Sequence, residues 1–214
     1  MSQDPQSISS NWAHTPPVNA SKVEADYDFL ADDYDDLIKE WGYDGPRIGA
    51  ELAKQFFSLE DSILDAGCGS GLTGESLYNR GFTNITGVDI SQKLLDKATQ
   101  RQVYRELVKA NLQQQLSWPD NTFDATYSIG VLTYFPDNFP LLEFCRVTRP
   151  GGWVLFSQRV DLFEEGGHGR AYNSMESQGL WQQKYISQPT AYLPGHSEYA
   201  QNILVYYLAY QVTK

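Results

Sequence analysis

The sequence lacks the features that would tie it to a membrane or to an oxidising compartment. Its 214 residues include two cysteines, Cys68 and Cys145, which are too few for a disulfide scaffold or a zinc site. No apolar run approaches the roughly 18 residues that a membrane-spanning helix needs. The first stretch, MSQDPQSISSNWAHTPPVNA, has no signal-peptide pattern. We therefore expect a cytoplasmic protein without a metal, with a flexible tail over residues 1 to 21.

Positive charge is also scarce. The chain carries 16 Lys and Arg residues against 27 Asp and Glu residues, a formal net charge of −11. Nonspecific affinity for nucleic acids comes mainly from Lys and Arg side chains that displace counterions from phosphates. This charge balance therefore disfavours a nucleic acid as substrate or partner.

The chain does contain enough apolar material for one folded domain. Hydrophobic residues make up 41% of it and aromatic residues 14%, as in ordinary globular proteins. Its length allows one substantial core and is short for two. We expect a single domain over residues 22 to 214, with helices in 22 to 60, a strand–helix core in 61 to 160 and a C-terminal part in 161 to 214.

The hydrophobic pattern predicts helices first and then alternating strands and helices. Apolar residues three and four positions apart predict one helix over residues 22 to 41. The stretches SILDAG, ITGVDI, ELVKANL, FDATYSI and WVLFSQ predict five strands with helices between them. A loop, FEEGGHGR, precedes two more predicted strands, QQKYIS and NILVYYLAYQV.

This alternation defines the expected fold class. Strands that alternate with helices form a parallel sheet covered on both faces, with ligands bound beyond the carboxyl ends of the strands. We expect an α/β, Rossmann-like, doubly wound sheet of seven mostly parallel strands with an N-terminal helical lid. The aromatic strand NILVYYLAYQV is expected to be antiparallel and to close one sheet edge.

The glycine-rich segment ILDAGCGSGLTGESL admits two interpretations. Gly69, Gly71 and Gly74 match the G-x-G-x-x-G pattern of dinucleotide-binding proteins, and Asp89 follows about 20 residues later. An overlapping D-x-G-x-G-x-G pattern starts at Asp65, whose carboxylate would repel a pyrophosphate and attract an ammonium group. The second pattern therefore favours an adenosyl cofactor that carries an amino acid.

Four segments together resemble the successive motifs of class I S-adenosylmethionine-dependent methyltransferases. They are LDAGCGSG, GVDIS, FDATYSIGVLTYF and RPGGWVLFS, in this order and spacing. The resemblance covers about residues 25 to 160. The C-terminal stretch YISQPTAYLPGHSEYA is also similar to the methyltransferase-like proteins of the Williams–Beuren region.

The resemblance implies S-adenosylmethionine as the cofactor and S-adenosylhomocysteine as the product. It assigns Gly67, Cys68 and Gly69 to the methionine arm and the ribose. It assigns Asp89 to the ribose hydroxyls and Ile90 to the adenine.

Further cofactor contacts are implied after the third and fourth strands. Related proteins usually place an Asp after strand three to accept a hydrogen bond from the adenine amino group. Asn111 stands there in this chain, between Ala110 and Leu112, and its side-chain oxygen can accept the same bond without charge. Ser128 and Ile129, at the end of strand four, would face the sulfonium and the acceptor.

Two tyrosines of the first predicted helix are further candidates. Tyr27 and Tyr34 belong to an aromatic stripe, and such stripes usually pack in a core. In the resembled family this helix folds over the cofactor, where an aromatic face can meet the sulfonium through a cation–π contact. We expect the helix to act as a lid.

The acceptor side carries no catalytic signature. Methyl transfer from a sulfonium is an in-line displacement, so the protein mainly has to align the acceptor and exclude water. Tyr134, His168 and His196 are candidates to reach the substrate. Packing explains Tyr134 equally well and solvent exposure in a mobile loop explains His168 better, so no base is assigned.

The expected acceptor follows from motifs that are missing. The N/D-P-P-Y/F run of adenine amine methylation and the Pro-Cys pair of pyrimidine C5 methylation are both absent from the sequence. We expect a nitrogen or oxygen acceptor on a small molecule, with a protein side chain as the second acceptor class. A non-catalytic S-adenosylmethionine-binding module and a NAD-dependent oxidoreductase are the two alternatives.

Overall fold

The computed structural model describes residues 19 to 200 and 202 to 214. Residues 1 to 18 of the predicted tail lie outside the described part, and Asn19 caps the first helix through a hydrogen bond from Ser21 N (2.9 Å). The elements in chain order are α1 (Ala20–Leu30), α2 (Tyr34–Glu40), α3 (Gly45–Phe56), β1 (Ile63–Ala66), α4 (Leu72–Tyr78), β2 (Ile85–Asp89), α5 (Gln92–Gln100), β3 (Glu106–Lys109), β4 (Phe123–Ser128), a 3₁₀ turn (Leu132–Tyr134), α6 (Phe139–Val147), β5 (Thr148–Arg159), α7 (Val160–Glu164), α8 (His168–Ser177), β6 (Trp181–Ile186), β7 (Thr190–Ala191) and β8 (Leu204–Val212).

The sheet has the order β3-β2-β1-β4-β5-β8-β6, and the short strand β7 also pairs with β8. Strands β1 to β5 pair in parallel, whereas β8 is antiparallel to β5 and to β6. The predicted fold class is confirmed. Strand β8 lies between β5 and β6, however, and β6 forms the outer edge. The exposed Gln182 and Lys184 of β6 suit an edge strand, because polar and charged side chains discourage pairing with another chain.

The predicted helix over residues 22 to 41 is wrong in one respect, since the structure divides it into α1 and α2. The break lies at Ala31, Asp32 and Asp33, where Asp33 N donates to Leu30 O (3.0 Å). Aspartate disfavours helix interiors because its short side chain competes for backbone N–H groups. The two consecutive aspartates at the break therefore favour a turn there.

Acidic side chains of α1 and α2 hold these helices on the β2–β3 half of the sheet. The contacts are Lys109 Nζ to Glu24 Oε1 (2.7 Å), Ser91 Oγ to Asp28 Oδ1 (2.5 Å) and Arg101 to Asp35. A solvated acidic face is the usual outcome for such a run of charges. Here part of the run positions the two helices above the carboxyl ends of the strands.

The core has one hydrophobic cluster on each face of the sheet and a third beneath α1 and α2. Tyr172, Trp181 and Phe156 represent the first cluster, and Tyr127 and Leu155 the second. The third contains Leu30, Ile38, Trp41, Leu193 and Tyr199. Helices α1 and α2 therefore pack on the segment between β7 and β8 as well as over the strand ends.

Candidate active site

A cavity lies beyond the carboxyl ends of β1, β2 and β4, beneath α1 and α2. Its empty space, including the part that is open to solvent, is about 900 Å³. The walls come from the glycine loop after β1, the segments after β2, β3 and β4, and aromatic side chains of α1, α2 and the region after β7. The predicted residues that line it are Tyr27, Tyr34, Gly67, Cys68, Gly69, Asp89, Ile90, Ala110, Asn111, Leu112, Ile129 and Tyr134.

The glycine loop brings its backbone to the cavity wall. Gly67 and Gly69 have φ angles of 80° and 53°, which glycine adopts without strain. The N–H groups of Gly67 and Cys68 both donate to Val88 O, at 2.8 and 3.0 Å. A Cβ atom at Gly67 would collide with the side chain of Val131. The loop therefore requires glycine for its conformation and for its close approach to the segment after β4.

Asp89 ends β2 with both carboxylate oxygens oriented by the backbone. Oδ2 accepts from Gly69 N (2.8 Å) and Oδ1 from Ser91 N (2.9 Å). Burial raises the pKa of Asp89, while these N–H bonds lower it. Each oxygen keeps a further lone pair, so the carboxylate can accept two neighbouring hydroxyl groups, as a ribose presents them.

Asp65 is buried beneath the loop and does not line the cavity. Its Oδ2 accepts from Thr73 Oγ1 and from Tyr104 Oη, both at 2.7 Å. Its Oδ1 has no hydrogen-bond partner in the described part of the chain. Burial raises the pKa of Asp65 to about 7, although the bonds from Thr73 and Tyr104 lower it. Any contact to an ammonium group would have to reach this second oxygen.

Asn111 lines the cavity, whereas Ser128 does not. The Oδ1 of Asn111 accepts from Gln113 N (2.9 Å), which leaves one lone pair for an adenine amino group. Ser128 is fully buried and donates to Ala66 O (2.8 Å). Successive side chains of a strand face opposite sides, and the next residue, Ile129, is the one that reaches the wall.

Three tyrosines form one aromatic wall. The ring centroid of Tyr27 lies 5.8 Å from that of Tyr34 and 5.9 Å from that of Tyr134, in edge-to-face geometry. The hydroxyls of Tyr27 and Tyr134 are 2.6 Å apart. Burial raises the pKa of all three phenols. They therefore stay protonated at neutral pH, and Tyr134 is not a ready base.

The two histidine candidates lie away from the cavity wall. The expectation that His168 is solvated in a mobile loop is wrong: it is the first residue of α8 and is 8% exposed. Burial lowers its pKa, and its Nδ1 lies 3.5 Å from Tyr172 Oη. His196 packs between Trp41 and Tyr199, with ring centroids 4.8 and 4.4 Å away. Packing therefore accounts for both.

Two cavity tyrosines were missed by the sequence analysis. Tyr43 follows α2 and Tyr192 follows β7, and their ring centroids are 5.3 Å apart. A Cβ atom at Gly130 would lie 2.5 Å from Tyr43 Oη and 3.6 Å from Tyr192 Oη. Tyr192 belongs to the family-like stretch YISQPTAYLPGHSEYA, which was the available signal, whereas nothing in the sequence marked Tyr43.

Two kinds of feature are absent from the described residues. Over residues 19 to 200 and 202 to 214, no group of three His, Cys, Asp or Glu side chains is placed to hold a metal ion. No helix in the same ranges is long and apolar enough to cross a membrane.

Comparisons with known proteins agree with this geometry. A family model described as a methyltransferase domain matches residues 64 to 156. The human methyltransferase-like protein 27 is 30% identical over 177 residues, which cover 79% of this chain and 72% of the human protein. The chain therefore belongs to the class I S-adenosylmethionine-dependent methyltransferases, as its motifs predicted. Membership supports an enzyme over a binding module or a NAD-dependent oxidoreductase.

Other relatives match shorter segments. A ubiquinone biosynthesis O-methyltransferase of Hydrogenovibrio crunogenus is 30% identical over 141 residues, or 58% of this chain and 57% of that protein. A malonyl-[acyl-carrier protein] O-methyltransferase of Serratia marcescens is 37% identical over 98 residues, or 45% of this chain and 38% of that protein. The chain thus matches less than two thirds of either protein.

Solved structures confirm the fold. A methyltransferase structure from Methanosarcina mazei has a TM-score of 0.62 at 18% identity and covers 76% of this chain and 97% of its own. The cyclase SpnF has a TM-score of 0.63 at 17% identity, covering 78% and 80%. A neighbour that is named as a cyclase shows that this fold alone does not define the reaction.

Proposed function

We propose that this methyltransferase transfers the methyl group of S-adenosylmethionine to an oxygen or nitrogen atom of a small molecule. The observation that carries the proposal is the cavity beneath α1 and α2. One side of it has the polar groups that suit an adenosyl cofactor, and the other side is a chamber of tyrosines beyond β4. A cofactor and an acceptor could therefore meet in it.

The cofactor side fits S-adenosylmethionine better than a dinucleotide. Asp89 can accept from the ribose hydroxyls, Ile90 can lie against the adenine, and Asn111 can accept from its amino group. No Lys or Arg side chain of the described residues lines the cavity, so no cationic side chain there would neutralise a pyrophosphate. The buried carboxyl of Asp65 beneath the loop would oppose a pyrophosphate further.

The protein's contribution to the reaction is binding, orientation and exclusion of water. When bound, S-adenosylmethionine supplies a methyl group made electrophilic by a positively charged sulfur. Tyr27 and Tyr34 present aromatic rings to the cavity, and such rings attract a desolvated cation. Helices α1 and α2 cover the strand ends, which keeps water from competing with the acceptor.

A small molecule suits the acceptor side because α1 and α2 partly cover the site. The acceptor must enter beneath two helices that are tied to the sheet by Glu24, Asp28 and Asp35. Two of the relatives are named for O-methylation, in ubiquinone biosynthesis and on a malonyl-acyl-carrier protein. These names support an oxygen acceptor.

The test measures binding first and transfer second. Isothermal titration should show that S-adenosylmethionine and S-adenosylhomocysteine bind and that NAD does not. The protein is then incubated with methyl-tritiated S-adenosylmethionine and, separately, with the small-molecule, protein and RNA fractions of a cell extract. Label should enter the small-molecule fraction. Transfer confined to the protein or RNA fraction, or tighter binding of NAD than of S-adenosylmethionine, would overturn the proposal.

A further inference from the structure

We propose that the acceptor is the carboxylate of a small acid with an apolar body, and that the product is its methyl ester. The inference deepens the proposed function and rests on it. It depends on three features of the acceptor side: no base among the described residues lines it, two tyrosine hydroxyls converge beyond β4, and the buried guanidinium of Arg159 lies near one of them.

The first feature is the absence of a proton acceptor on the cavity wall. Among the described residues that line the cavity, Asp89 is the one carboxyl group and there is no histidine, lysine or arginine. The backbone holds Asp89 on the cofactor side, and Tyr134 keeps its proton because burial raises its pKa. An alcohol or an ammonium group needs a base before it can attack. A carboxylate does not, because it is already ionised at neutral pH.

The second feature is a pair of hydrogen-bond donors at Gly130. The hydroxyls of Tyr43 and Tyr192 approach this glycine, and a Cβ atom there would lie 2.5 and 3.6 Å from them. Neither hydroxyl makes a hydrogen bond within the described part of the chain, although both residues line the cavity. Burial raises the pKa of Tyr192 to about 12, so this phenol donates. Two such donors suit an oxygen anion.

The third feature is Arg159 at the end of β5. Its Nε and Nη2 donate to Asp161, at 3.0 and 2.5 Å, and its Nη1 is buried with no partner among the described residues. Ser157, two residues earlier on the same face of β5, accepts from Gly130 N (2.8 Å). Arg159 also lowers the pKa of Tyr192 against the effect of burial. The guanidinium, which is paired with Asp161, therefore acts electrostatically on the hydroxyl of Tyr192.

These features assign distinct roles. Tyr43 and Tyr192 would donate to one carboxylate oxygen and leave the other directed at the methyl carbon. Arg159 does not line the cavity, so it is a positioning residue that acts through Tyr192. Val131 and Phe135, which also line the cavity, would contact the apolar body of the acid.

The transfer balances without a proton. The carboxylate oxygen donates an electron pair to the methyl carbon as the carbon–sulfur bond breaks, and that bond's electrons stay on sulfur. One anion and one sulfonium cation become a neutral ester and a neutral thioether. No group on the protein has to change its protonation state.

Alkali distinguishes this product from other methylated products. The wild-type protein is incubated with methyl-tritiated S-adenosylmethionine and a small-molecule extract, and the products are treated with base. A methyl ester releases its label as volatile methanol, whereas N-methyl and aryl ether groups keep it. We expect most of the incorporated label to become volatile. Incorporated label that resists base overturns the carboxylate but not the methyltransferase, whereas an absence of any transfer contradicts the proposed function itself.

Binding of matched probes provides a second test. Phenylacetate, phenylacetamide and phenethylamine share one skeleton and differ in charge, and each is titrated into the protein saturated with S-adenosylhomocysteine. We expect phenylacetate to bind at least about tenfold more tightly than the other two, as a charge-assisted hydrogen bond to a desolvated anion requires. Equal or weaker binding of the acid would contradict the inference.

Variants test the named residues against matched controls. Tyr43→Phe and Tyr192→Phe should each weaken phenylacetate binding about tenfold, with the affinity for S-adenosylhomocysteine unchanged. Tyr206→Phe is the control, because its hydroxyl bonds to Glu164 on the surface. An equal effect in the control, or none in either cavity variant, would refute the role of the two hydroxyls.

Two substitutions of Arg159 test the role of its guanidinium. Arg159→Gln should weaken phenylacetate binding but not phenylacetamide binding, and Arg159→Lys should restore part of the preference for the acid. Arg149→Gln removes an arginine that pairs with Asp124 at the surface and serves as the control. Loss of binding for acid and amide alike would indicate a purely structural role for Arg159. If Arg159→Gln fails to fold, the preference of Arg159→Lys for phenylacetate over phenylacetamide still tests the role of the charge.

Discussion

Replacement of Asp89 by alanine is the most direct test of the cofactor site. The carboxylate has both oxygens fixed by backbone N–H groups, at 2.8 Å from Gly69 and 2.9 Å from Ser91, so it presents its other lone pairs without a further ordering cost. Charge-assisted hydrogen bonds to two ribose hydroxyls contribute on the order of 2 to 4 kcal/mol. The dissociation constant for S-adenosylmethionine should therefore rise about 30-fold to several hundredfold.

The same substitution should change the stability of the fold only slightly. It removes two hydrogen bonds to backbone N–H groups, each worth about 1 to 2 kcal/mol. It also removes a carboxylate whose pKa is raised by burial, so the cost of desolvating the charge disappears. We expect these effects to offset each other to within about 1 to 2 kcal/mol, because the freed N–H groups lie beside an open cavity.

Isothermal titration with S-adenosylmethionine gives the affinity, and urea unfolding gives the stability. Asp96→Ala is the matched control, since Asp96 is an exposed acid of the following helix that accepts from Gln92 Nε2 (2.9 Å). The control should bind as the wild type does. If Asp89→Ala also binds within about threefold of the wild type, its assignment to the ribose is refuted.

Two further predictions concern the lid and the buried acid. Tyr34→Ala should weaken S-adenosylmethionine binding about tenfold by titration, as expected for a cation–π contact, while the exposed-tyrosine control Tyr78→Ala should not. A stability loss of about 3 to 5 kcal/mol with unchanged affinity would instead make Tyr34 a core residue. Burial raises the folded-state pKa of Asp65 from 3.8 to about 7, so the folded chain holds a proton that the unfolded chain has released. This stabilising contribution is complete below about pH 4 and is lost as the pH rises through 7. The unfolding free energy of the wild type should fall by about 1.4 kcal/mol per pH unit relative to Asp65→Asn over that window, and parallel curves in urea titrations would contradict the assignment.

Several parts of the fold and site could be predicted from sequence because neighbouring residues determine them. A helix start, for instance, depends on local chemistry: Ser91 caps α5, and its Oγ accepts from Leu94 N (3.1 Å). The glycine loop is another such case, because the positive φ angles at Gly67 and Gly69 are available to few other residues. The position of Asp89 at the end of β2 follows from the strand and the loop together.

Strand order and side-chain direction could not be predicted from neighbouring residues in this way. The stretch NILVYYLAYQV is recognisable as a strand, but its place between β5 and β6 depends on which backbone edges meet in three dimensions. Asp65 and Ser128 lie in motifs that mark a cofactor site, and yet neither lines the cavity. A shift of one residue reverses the side of the sheet that a strand side chain faces. A sequence motif does not specify which of its residues face the cavity.

The sequence by itself determined the class of fold, the cofactor loop and the acid that follows β2, because each rests on interactions between residues close together in the chain. Tertiary structure alone decided the acceptor side. Tyr43 and Tyr192 meet at Gly130, with Arg159 behind them, only because α3, β4, β5 and β7 pack around one end of the sheet. Residues so distant in the chain share no local pattern, and their convergence is a property of packing.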